Sequence, residues 1–478
     1  MKLFGKYAAL FAFAALFSGC ASIPEAPQTL EDFRRVFIDS KSKPQLLSGN
    51  ILTLDNAIRT ALLNNPTDRA AAQAVYAAKY SYYQALSAYL PEVNAKYSIG
   101  HTLSRGWDLK NPPEGMLRKN DHLITSGSIG ATFLLFDGFA RELESLIAYQ
   151  EYQRSIEISQ NVRRLLTRAV AFAYCDMHLA EEEIKIFTED LAFQSDALLQ
   201  EEQRFRSGHV SKASVLNFKI LSARAKSNIR NAQYRQRVAR HALLSLMGCS
   251  HRETPENMRP EKLSLSGLPY LHDDEFYLEL AINNRPDLKE EKILLNIASR
   301  NRQKVYAEFL PVIHLFSEFA LDTYNAKYGS YRFSSAHGNQ RGFTYGAEGR
   351  WNLFQGFNSY NKLQKQLVLE KIAMWGINKK FLEISAEVLD ACSNCRNAHY
   401  QTGIYQSMSD WVREQRDLVY SEYRNGRETI TRLNEAQSAL VEAQSRLIIS
   451  AIEYRKAVIQ LAAVTGTEPK SKNGQTVK

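Results

Sequence analysis

The sequence lacks the motifs by which most enzymes are recognised. It has no Gly-rich phosphate loop or dinucleotide fingerprint, and its 10 His residues are scattered without a His-Glu-x-x-His pair. Proline is also scarce, with 13 residues in 478 and none between Pro113 and Pro255 or between Pro311 and Pro469. We therefore expect no enzyme, no cofactor and no metal site, and we expect long uninterrupted helices.

Cysteine is too scarce for a disulfide framework, because the chain has only 5 Cys residues. Cys392 and Cys395 stand one helical turn apart, a spacing that redox pairs and metal ligands use. No second pair lies nearby, and the motif falls inside a predicted helix. We favour two neighbouring cysteines without a function over a redox pair.

The charge balance does not favour a nucleic-acid partner. The net charge is +9, but 60 Lys and Arg are interspersed with 51 Asp and Glu, as in "EEEIKIFTED". We find no basic run with interleaved aromatics that would follow a phosphate backbone. A hydrophobic content of 45% excludes general disorder.

Two helical stretches fill the proline-free regions, from Glu142 to Phe205 and from Asn358 to Tyr423. Each would extend about 95 Å as one helix. A Gly-containing turn follows each stretch, at Gly208 and Gly426, and then a returning helix. The returning helices carry apolar residues spaced three or four apart, which is typical of helix packing.

The chain repeats itself. "ALLNNP" at 61–66 and "AINNRP" at 281–286 are 220 residues apart (281 − 61), as are two Leu-Pro pairs at 90–91 and 310–311. Three glycine pairs then keep an offset of 218, from Gly138 with Gly356 to Gly248 with Gly466. These anchors indicate a tandem duplication.

Strand-like alternation separates the helices of each repeat. "VNAKYSIG" and "SIGATFLLF" alternate in the first repeat, and Ile313 to Leu321 alternate more weakly in the second. "FTYGAEGRWNLF" puts Phe343, Tyr345, Ala347, Trp351 and Leu353 on one face. The polar segments 105–123 and 324–342 are expected to be loops. A half-buried soluble sheet remains the alternative for any single strand.

Four strands of about ten residues cannot close a membrane barrel, because the smallest barrels have about eight strands and lipid tolerates no open edge. A membrane barrel would therefore have to be shared between chains, and three copies would supply 12 strands (3 × 4). After the amino-terminal segment, no apolar run is long enough for a spanning helix.

The chain begins with a secretory signal, "MKLFGKYAALFAFAALFSGC". Its end resembles the lipobox of bacterial lipoproteins, in which Cys20 becomes the acylated first residue. Phe17 departs from the usual Leu, so ordinary cleavage with an incidental Cys20 stays an alternative. Ala21 and Ser22 follow in place of the Asp that typically retains lipoproteins at the inner membrane, which implies outer-membrane delivery.

Together, the paired Asn/Pro motifs, the Leu-Pro strand entries, Phe-x-Gly-Phe and Tyr-x-x-Gly resemble the outer membrane efflux protein family, the TolC-like ducts. The resemblance covers Leu52 to Gly466. It implies a mainly α fold with a membrane β-barrel, closed as a homotrimer whose long α-barrel crosses the periplasm of a Gram-negative bacterium. It further implies an exit duct for a periplasmic adaptor and an inner-membrane pump. A structural periplasmic coiled-coil lipoprotein without a channel is the alternative.

The resemblance also implies a pore gate at the periplasmic tip, where the Tyr423 and Gly426 turn lies. The two acidic gate positions fall on Arg432 and Glu435, and a basic lock position falls on Glu428. One gate charge and the lock charge are therefore reversed. We expect a ring of mixed charge that is less cation-selective than an acidic ring, with merely solvated helix charges as the alternative.

These observations predict six segments. They are a signal peptide at 1–19, a lipid-anchored segment at 20–50, a first repeat at 51–250, a linker at 251–274, a second repeat at 275–466 and a tail at 467–478.

Overall fold

The structure is a computed structural model that describes residues 51–106, 118–249, 259–261, 272–329 and 335–467. The predicted signal peptide, the predicted acylation site Cys20, most of the predicted linker and almost all of the predicted tail lie outside these residues. None of the described helices is both long and apolar enough to cross a membrane.

The described elements fall into two similar series. The first series contains β1 (Ile51–Leu52), α1 (Leu54–Asn64), α2 (Pro66–Ser87), β2 (Glu92–Gly106), β3 (Arg118–Phe136), α3 (Ala140–Arg206) and α4 (Lys212–Leu246). The second contains β4 (Arg259–Pro260), α5 (Asp274–Asn284), α6 (Pro286–Val305), a 3₁₀ turn (Tyr306–Phe309), β5 (Val312–Gly329), β6 (Ser335–Arg350), α7 (Asn358–Arg424) and α8 (Ile430–Thr465). The predicted duplication is thus visible element by element.

The repeated Asn/Pro motif separates two helices in each series. Asn65 ends α1, and its side chain accepts a hydrogen bond of 2.8 Å from the Thr67 amide, which caps α2. Pro66 occupies the first helical position, where its missing N–H costs nothing. Arg285 and Pro286 occupy the same places between α5 and α6.

The two long helices are continuous, as predicted. Each of α3 and α7 has 67 residues, which corresponds to about 100 Å. Each ends at a glycine with positive φ, 78° at Gly208 and 71° at Gly426, a conformation that glycine adopts without steric cost. The helices therefore stop where the sequence predicts turns.

The four long strands form one antiparallel sheet in the order β2-β3-β5-β6. They have 15 to 19 residues rather than about ten, so the strands extend into the segments 105–123 and 324–342 that were predicted to be loops. The prediction for Trp351 and Leu353 was also wrong, because β6 ends at Arg350. The reason is that β5 begins at Val312, which pairs with Arg350, so nothing remains for later residues to pair with.

The two series are joined at α3 and at the sheet. In the first series α3 packs against α4 as a hairpin, and it also packs against α6 and α8 of the second series. The pairing of β3 with β5 joins the series in the sheet. Two short strands that the sequence did not predict, β1 and β4, pair in parallel beside α3, and the Tyr174 hydroxyl donates to the Leu52 carbonyl at 3.0 Å.

Candidate functional site

One face of the sheet is apolar in its central rows across all four strands. Residues directly opposite in an antiparallel pair share a face, and the register places Ala95 opposite Ile129, Ile129 opposite Phe319, and Phe319 opposite Phe343. Val93, Tyr97 and Ile99 in β2, Leu315 and Leu321 in β5, and Tyr345 and Ala347 in β6 belong to the same face by alternation. We call this surface the apolar sheet face.

The opposite face carries most of the charged side chains, although Arg341 lies opposite Leu321 at the end of the apolar sheet face. Lys96 lies opposite Ser128, Glu318 lies opposite Gly130 and Thr344, and Glu348 lies opposite His314. The apolar sheet face is nevertheless exposed in the single chain, with Tyr97 70%, Phe343 65% and Tyr345 76% accessible. An exposed apolar surface of this extent needs a nonaqueous neighbour.

Strained phenylalanines mark both passages from strand to helix. Phe139 has φ 68° and Phe357 has φ 62°, a region that bulky residues rarely adopt. Their rings stack edge-on against Phe136 at 5.7 Å and against Phe354 at 5.6 Å. Such strain costs about 1–3 kcal/mol and persists only where surrounding structure fixes it. Both repeats therefore keep the same sharp entry into the long helix.

The turns at Gly208 and Gly426 end the two helical hairpins, and Phe193 of α3 stacks against Tyr420 of α7 above them at 5.6 Å. The Tyr423 hydroxyl donates to Glu201 Oε1 at 2.6 Å, and Arg204 Nη1 donates to the same oxygen at 3.2 Å. Glu201 is buried.

Tyr423 is held in its neutral form. Burial and the hydrogen bond to Glu201 raise the pKa of its hydroxyl above the ordinary value of 10.0. Glu201 and Arg204 were missed by sequence reasoning. Glu201 and Tyr423 are 222 residues apart, and Val419 and Phe205 occupy their counterpart positions (201 + 218 and 423 − 218), so the repeat carried no signal for the contact.

The predicted gate residues lie on the first turns of α8. Arg432 Nη1 is 3.5 Å from Glu435 Oε2, and both side chains are about half exposed or more. The Glu428 carboxylate accepts a hydrogen bond of 3.2 Å from the Thr429 amide at the start of this helix. Arg432 and Glu435 thus form a local ion pair on the surface of α8 within one chain.

Cys392 and Cys395 are buried in a cluster with Ala281, Leu288 and Tyr454. Burial raises the pKa of both thiols to about 11, so very little reactive thiolate forms at neutral pH. Both are free thiols. In the described ranges, no three His, Cys, Asp or Glu residues are grouped so that they could hold a metal ion.

A model of the outer membrane efflux protein family matches residues 57–249 and 277–467. Among solved structures, the chain is similar to CusC with 18% identity and a TM-score of 0.71, covering 87% of this chain and 92% of that one. It is similar to VceC of Vibrio cholerae with 15% identity, a TM-score of 0.70 and coverage of 87% and 96%. The open-state MtrE channel of Neisseria gonorrhoeae has 17% identity, a TM-score of 0.65 and coverage of 87% and 89%. No curated protein matches.

Proposed function

The chain belongs to the outer membrane efflux protein family, and we propose that it is the outer-membrane exit duct of a tripartite efflux or secretion system. In this function three copies form one tube, which passively conducts substrate from an inner-membrane pump and a periplasmic adaptor to the exterior. The apolar sheet face is the observation that carries the proposal. Lipid against the apolar sheet face and a water-filled lumen against the opposite face would account for the difference in polarity between the two faces of the sheet.

The repeat suggests how three copies close the tube. Within the chain β3 pairs with β5, so the equivalent partner of β6 is β2 of a neighbouring copy. Likewise α3 packs against α6 and α8, so the equivalent partners of α7 are α2 and α4 of that copy. This head-to-tail relation would remove every sheet edge.

Exposed apolar residues support this closure. Ala171 of α3 and Ile452 of α8 are buried in one cluster within the chain. Their counterparts are Leu389 of α7 (171 + 218) and Tyr234 of α4 (452 − 218), and both of these are exposed. Within the chain, Leu389 and Tyr234 lack the burial that their counterparts Ala171 and Ile452 have. A contact between α7 of one copy and α4 of the next would bury both of them.

At the periplasmic tip we propose that the Tyr423–Glu201 contact holds the α7–α8 hairpin against α3 in a closed state. Three copies of Arg432 and Glu435 would then form a mixed ring about the axis. Recordings in planar bilayers test the ring. Strong multivalent-cation block of the wild type that is unchanged in Glu435→Gln would contradict it.

We also propose that Cys20 is acylated and anchors the chain to the outer membrane. Cys20→Ser should lose metabolic labelling with palmitate, while the sheet still retains part of the protein in the membrane. Absence of label on the wild type would disprove the anchor without affecting the channel.

The decisive experiment places a charge on each face of the same strand. Tyr345→Lys puts an ammonium on the apolar sheet face, at a cost of about 2–4 kcal/mol if the residue lies near the bilayer midplane. Thr344→Lys is the matched control on the polar face. We expect the first variant to lose heat-modifiable trimers and channel activity, and the second to keep both.

Equal behaviour of the two lysine variants, together with no conductance from the wild type, would refute the channel. That result would favour the alternative of a periplasmic spacer lipoprotein, which has no reason to distinguish the two faces of the sheet.

A further inference from the structure

A polar cleft of about 450 Å³ lies along the second half of α8, between α7 and α3. Its walls carry carboxamides, one free carboxylate and the half-buried ring of an aromatic residue, and they include Asn394, Asn397, Gln401, Gln460, Glu453 and Phe172. Small-molecule sites are commonly clefts of about 300–1,000 Å³ with a few convergent polar groups. We call this feature the amide cleft.

The first repeat has an ion pair at the equivalent place. Arg235 of α4 donates to Glu183 of α3 at 3.0 and 2.7 Å. Their counterparts in the second repeat are Glu453 (235 + 218) and Gln401 (183 + 218), and both of these line the amide cleft. A glutamine and a glutamate cannot form an ion pair, so the second repeat has an open cleft where the first repeat has a salt bridge between the two helices.

Glu453 is the unpaired charge of the amide cleft. Among the residues that the structure describes, this exposed carboxylate forms no ion pair. Lys456, which also lines the cleft, is paired with Asp176 of α3, and its Nζ lies 5.8 Å from the centre of the Phe172 ring.

The carboxamides are available to a ligand as well. Over the described ranges, the side chains of Asn394, Asn397 and Gln401 make no hydrogen bond within the chain. At the other end of the cleft, about 10 Å from Glu453 along α8 (7 × 1.5 Å), Gln460 accepts a hydrogen bond of 3.3 Å from Arg168. The free carboxylate therefore favours a cation at its end of the cleft, and each carboxamide offers both a donor and an acceptor.

The amide cleft opens on the side of the wall that bears the predicted gate residues. From Arg432 and Glu435, steps of three, four or seven residues along α8 lead to Glu442, Arg446, Glu453, Lys456 and Gln460. Such steps keep residues on one face of a helix in a packed bundle. The register of packing is unchanged over this length, because the core positions of the same heptad stay buried at Leu433, Leu440, Tyr454 and Leu461. In the proposed function, this face is the lumen side.

The short helix α5 packs on the other side of the wall. Asp274 of α5 pairs with Arg396 of α7. Arg396 stands two residues after Asn394, so the two side chains leave α7 about 160° apart. The amide cleft thus opens away from α5.

Closure of the tube leaves the centre of the cleft uncovered. Helix α8 already has α3 on one side and α7 on the other within the chain, and Glu453 is exposed in that setting. The edge of the cleft is different, because Leu179, the counterpart of Asn397 (397 − 218), packs against α8. By equivalence, α4 of a neighbouring copy would border the cleft at Asn397.

We propose that the amide cleft binds a hydrophilic organic cation, with its ammonium group at Glu453 and its hydroxyl or amide groups at Gln401 and the neighbouring carboxamides. This inference rests on the proposed function and deepens it, because it assigns a class of solute to the wall of the lumen. An apolar solute would take water from the carboxylate and the carboxamides without replacing their hydrogen bonds. An anion would be repelled by Glu453.

The first test measures binding by saturation-transfer difference NMR on the purified full-length protein in a neutral detergent. The probe is kanamycin A, a hydrophilic amine with several hydroxyl groups, and raffinose is an uncharged control of similar size. E453Q removes the carboxylate without changing the size of the side chain. E442Q is the matched control, because Glu442 lies on the same face of α8 but outside the cleft, where it pairs with Arg446 at 2.8 Å. We expect kanamycin affinity to fall at least about fivefold in E453Q and less than about twofold in E442Q.

The second test closes the cleft with the ion pair of the first repeat. The double variant Q401E/E453R reproduces the pair of Glu183 with Arg235, so the helices should pack and melt as in the wild type. We expect its kanamycin affinity to be at least as low as that of E453Q. Equal affinity in the wild type and E453Q, unchanged affinity in the double variant, or raffinose binding as tight as kanamycin binding would each overturn the inference.

Conductance in planar bilayers keeps the two proposals apart. A wild type that forms channels but binds kanamycin no better than E453Q would refute the cation site and leave the duct intact. A wild type that forms no channel would refute the proposed function instead, even if its kanamycin binding depends on Glu453. Channel formation together with binding that E453Q weakens and E442Q does not would support both.

Discussion

Replacing the buried Arg285 should destabilise the chain more than any surface substitution. Its side chain donates to both oxygens of Asp287 at 2.9 and 2.6 Å and to Glu387 at 2.5 Å. It also reaches the Val464 carbonyl at 3.4 Å, and Arg285 is only 2% exposed. This one guanidinium therefore ties the start of α6 to α7 and to the end of α8.

The size of the destabilisation depends on the carboxylates that lose their partner when Arg285 is removed. Removing one partner of a buried ion pair costs about 3–5 kcal/mol, because the remaining charge is uncompensated. The Asp287 side chain is 13% exposed and would bear that penalty, whereas Glu387 is 50% exposed and can be solvated. We expect Arg285→Ala to lower the free energy of unfolding by about 3 kcal/mol, the lower end of that range.

The first repeat supplies a matched control. At the place of Arg285 it has Asn65, whose side-chain amide donates to the Leu246 carbonyl at 2.8 Å, and Leu246 is the counterpart of Val464 (464 − 218). Thr67 stands at the place of Asp287 (287 − 220). The double variant R285N/D287T removes both charges together, so we expect it to cost about 1 kcal/mol.

Denaturation by guanidinium chloride in detergent, followed by far-UV circular dichroism, measures all three proteins. The reasoning would be refuted if Arg285→Ala cost less than about 1 kcal/mol, or if the double variant were as unstable as the alanine variant.

Three further predictions concern the tip, the thiols and acid. Tyr423→Phe should remove the shorter of the two hydrogen bonds to the buried Glu201 and leave only the one from Arg204. We expect it to destabilise the closed tip by about 1–3 kcal/mol and to raise conductance in planar bilayers; unchanged conductance would contradict the closed-state role. Cys392 and Cys395 should resist iodoacetamide at pH 7 in the native state and react after denaturation, because burial raises the pKa of both thiols to about 11. Burial alone would raise the pKa of Asp287, but the Arg285 hydrogen bonds outweigh it and lower the pKa below 3.8. Its contribution to stability should therefore be complete well above pH 3.8 and be lost as pH falls through the lower folded-state value, with a smaller acid loss in R285N/D287T.

Much of the fold could be predicted because its signals are local or repeated. Proline-free stretches predicted the long helices, and glycines at a fixed offset predicted the turns. Strand ends were less predictable, since pairing partners decide them. Trp351 continues the alternation of β6, yet its indole nitrogen donates to the Phe309 carbonyl at 3.1 Å beyond the strand. Alternation within one strand cannot show that the partner strand β5 begins only at Val312 and so offers no residue opposite Trp351.

The candidate site was predictable only where a single strand or helix carries it. The apolar sheet face follows from alternation within each strand, and the register then aligns four such patterns. The contact of Glu201 with Tyr423 joins residues of α3 and α7 that nothing in the sequence pairs. The hydrogen bonds of Arg285 could not be predicted for the same reason, because their acceptors lie on three different helices.

The two repeats share their backbone path but not their charges. Gly138 and Gly356, and likewise Phe139 and Phe357, share unusual backbone angles at an offset of 218, although a phenylalanine there is strained. Both repeats therefore turn from strand into long helix along the same backbone path, and both contain a strained phenylalanine. Charges follow no such rule, because α4 carries +8 where α8 carries +1 (4 − 3). The duplication therefore preserves the backbone path into the long helices but not the charge of the returning helices.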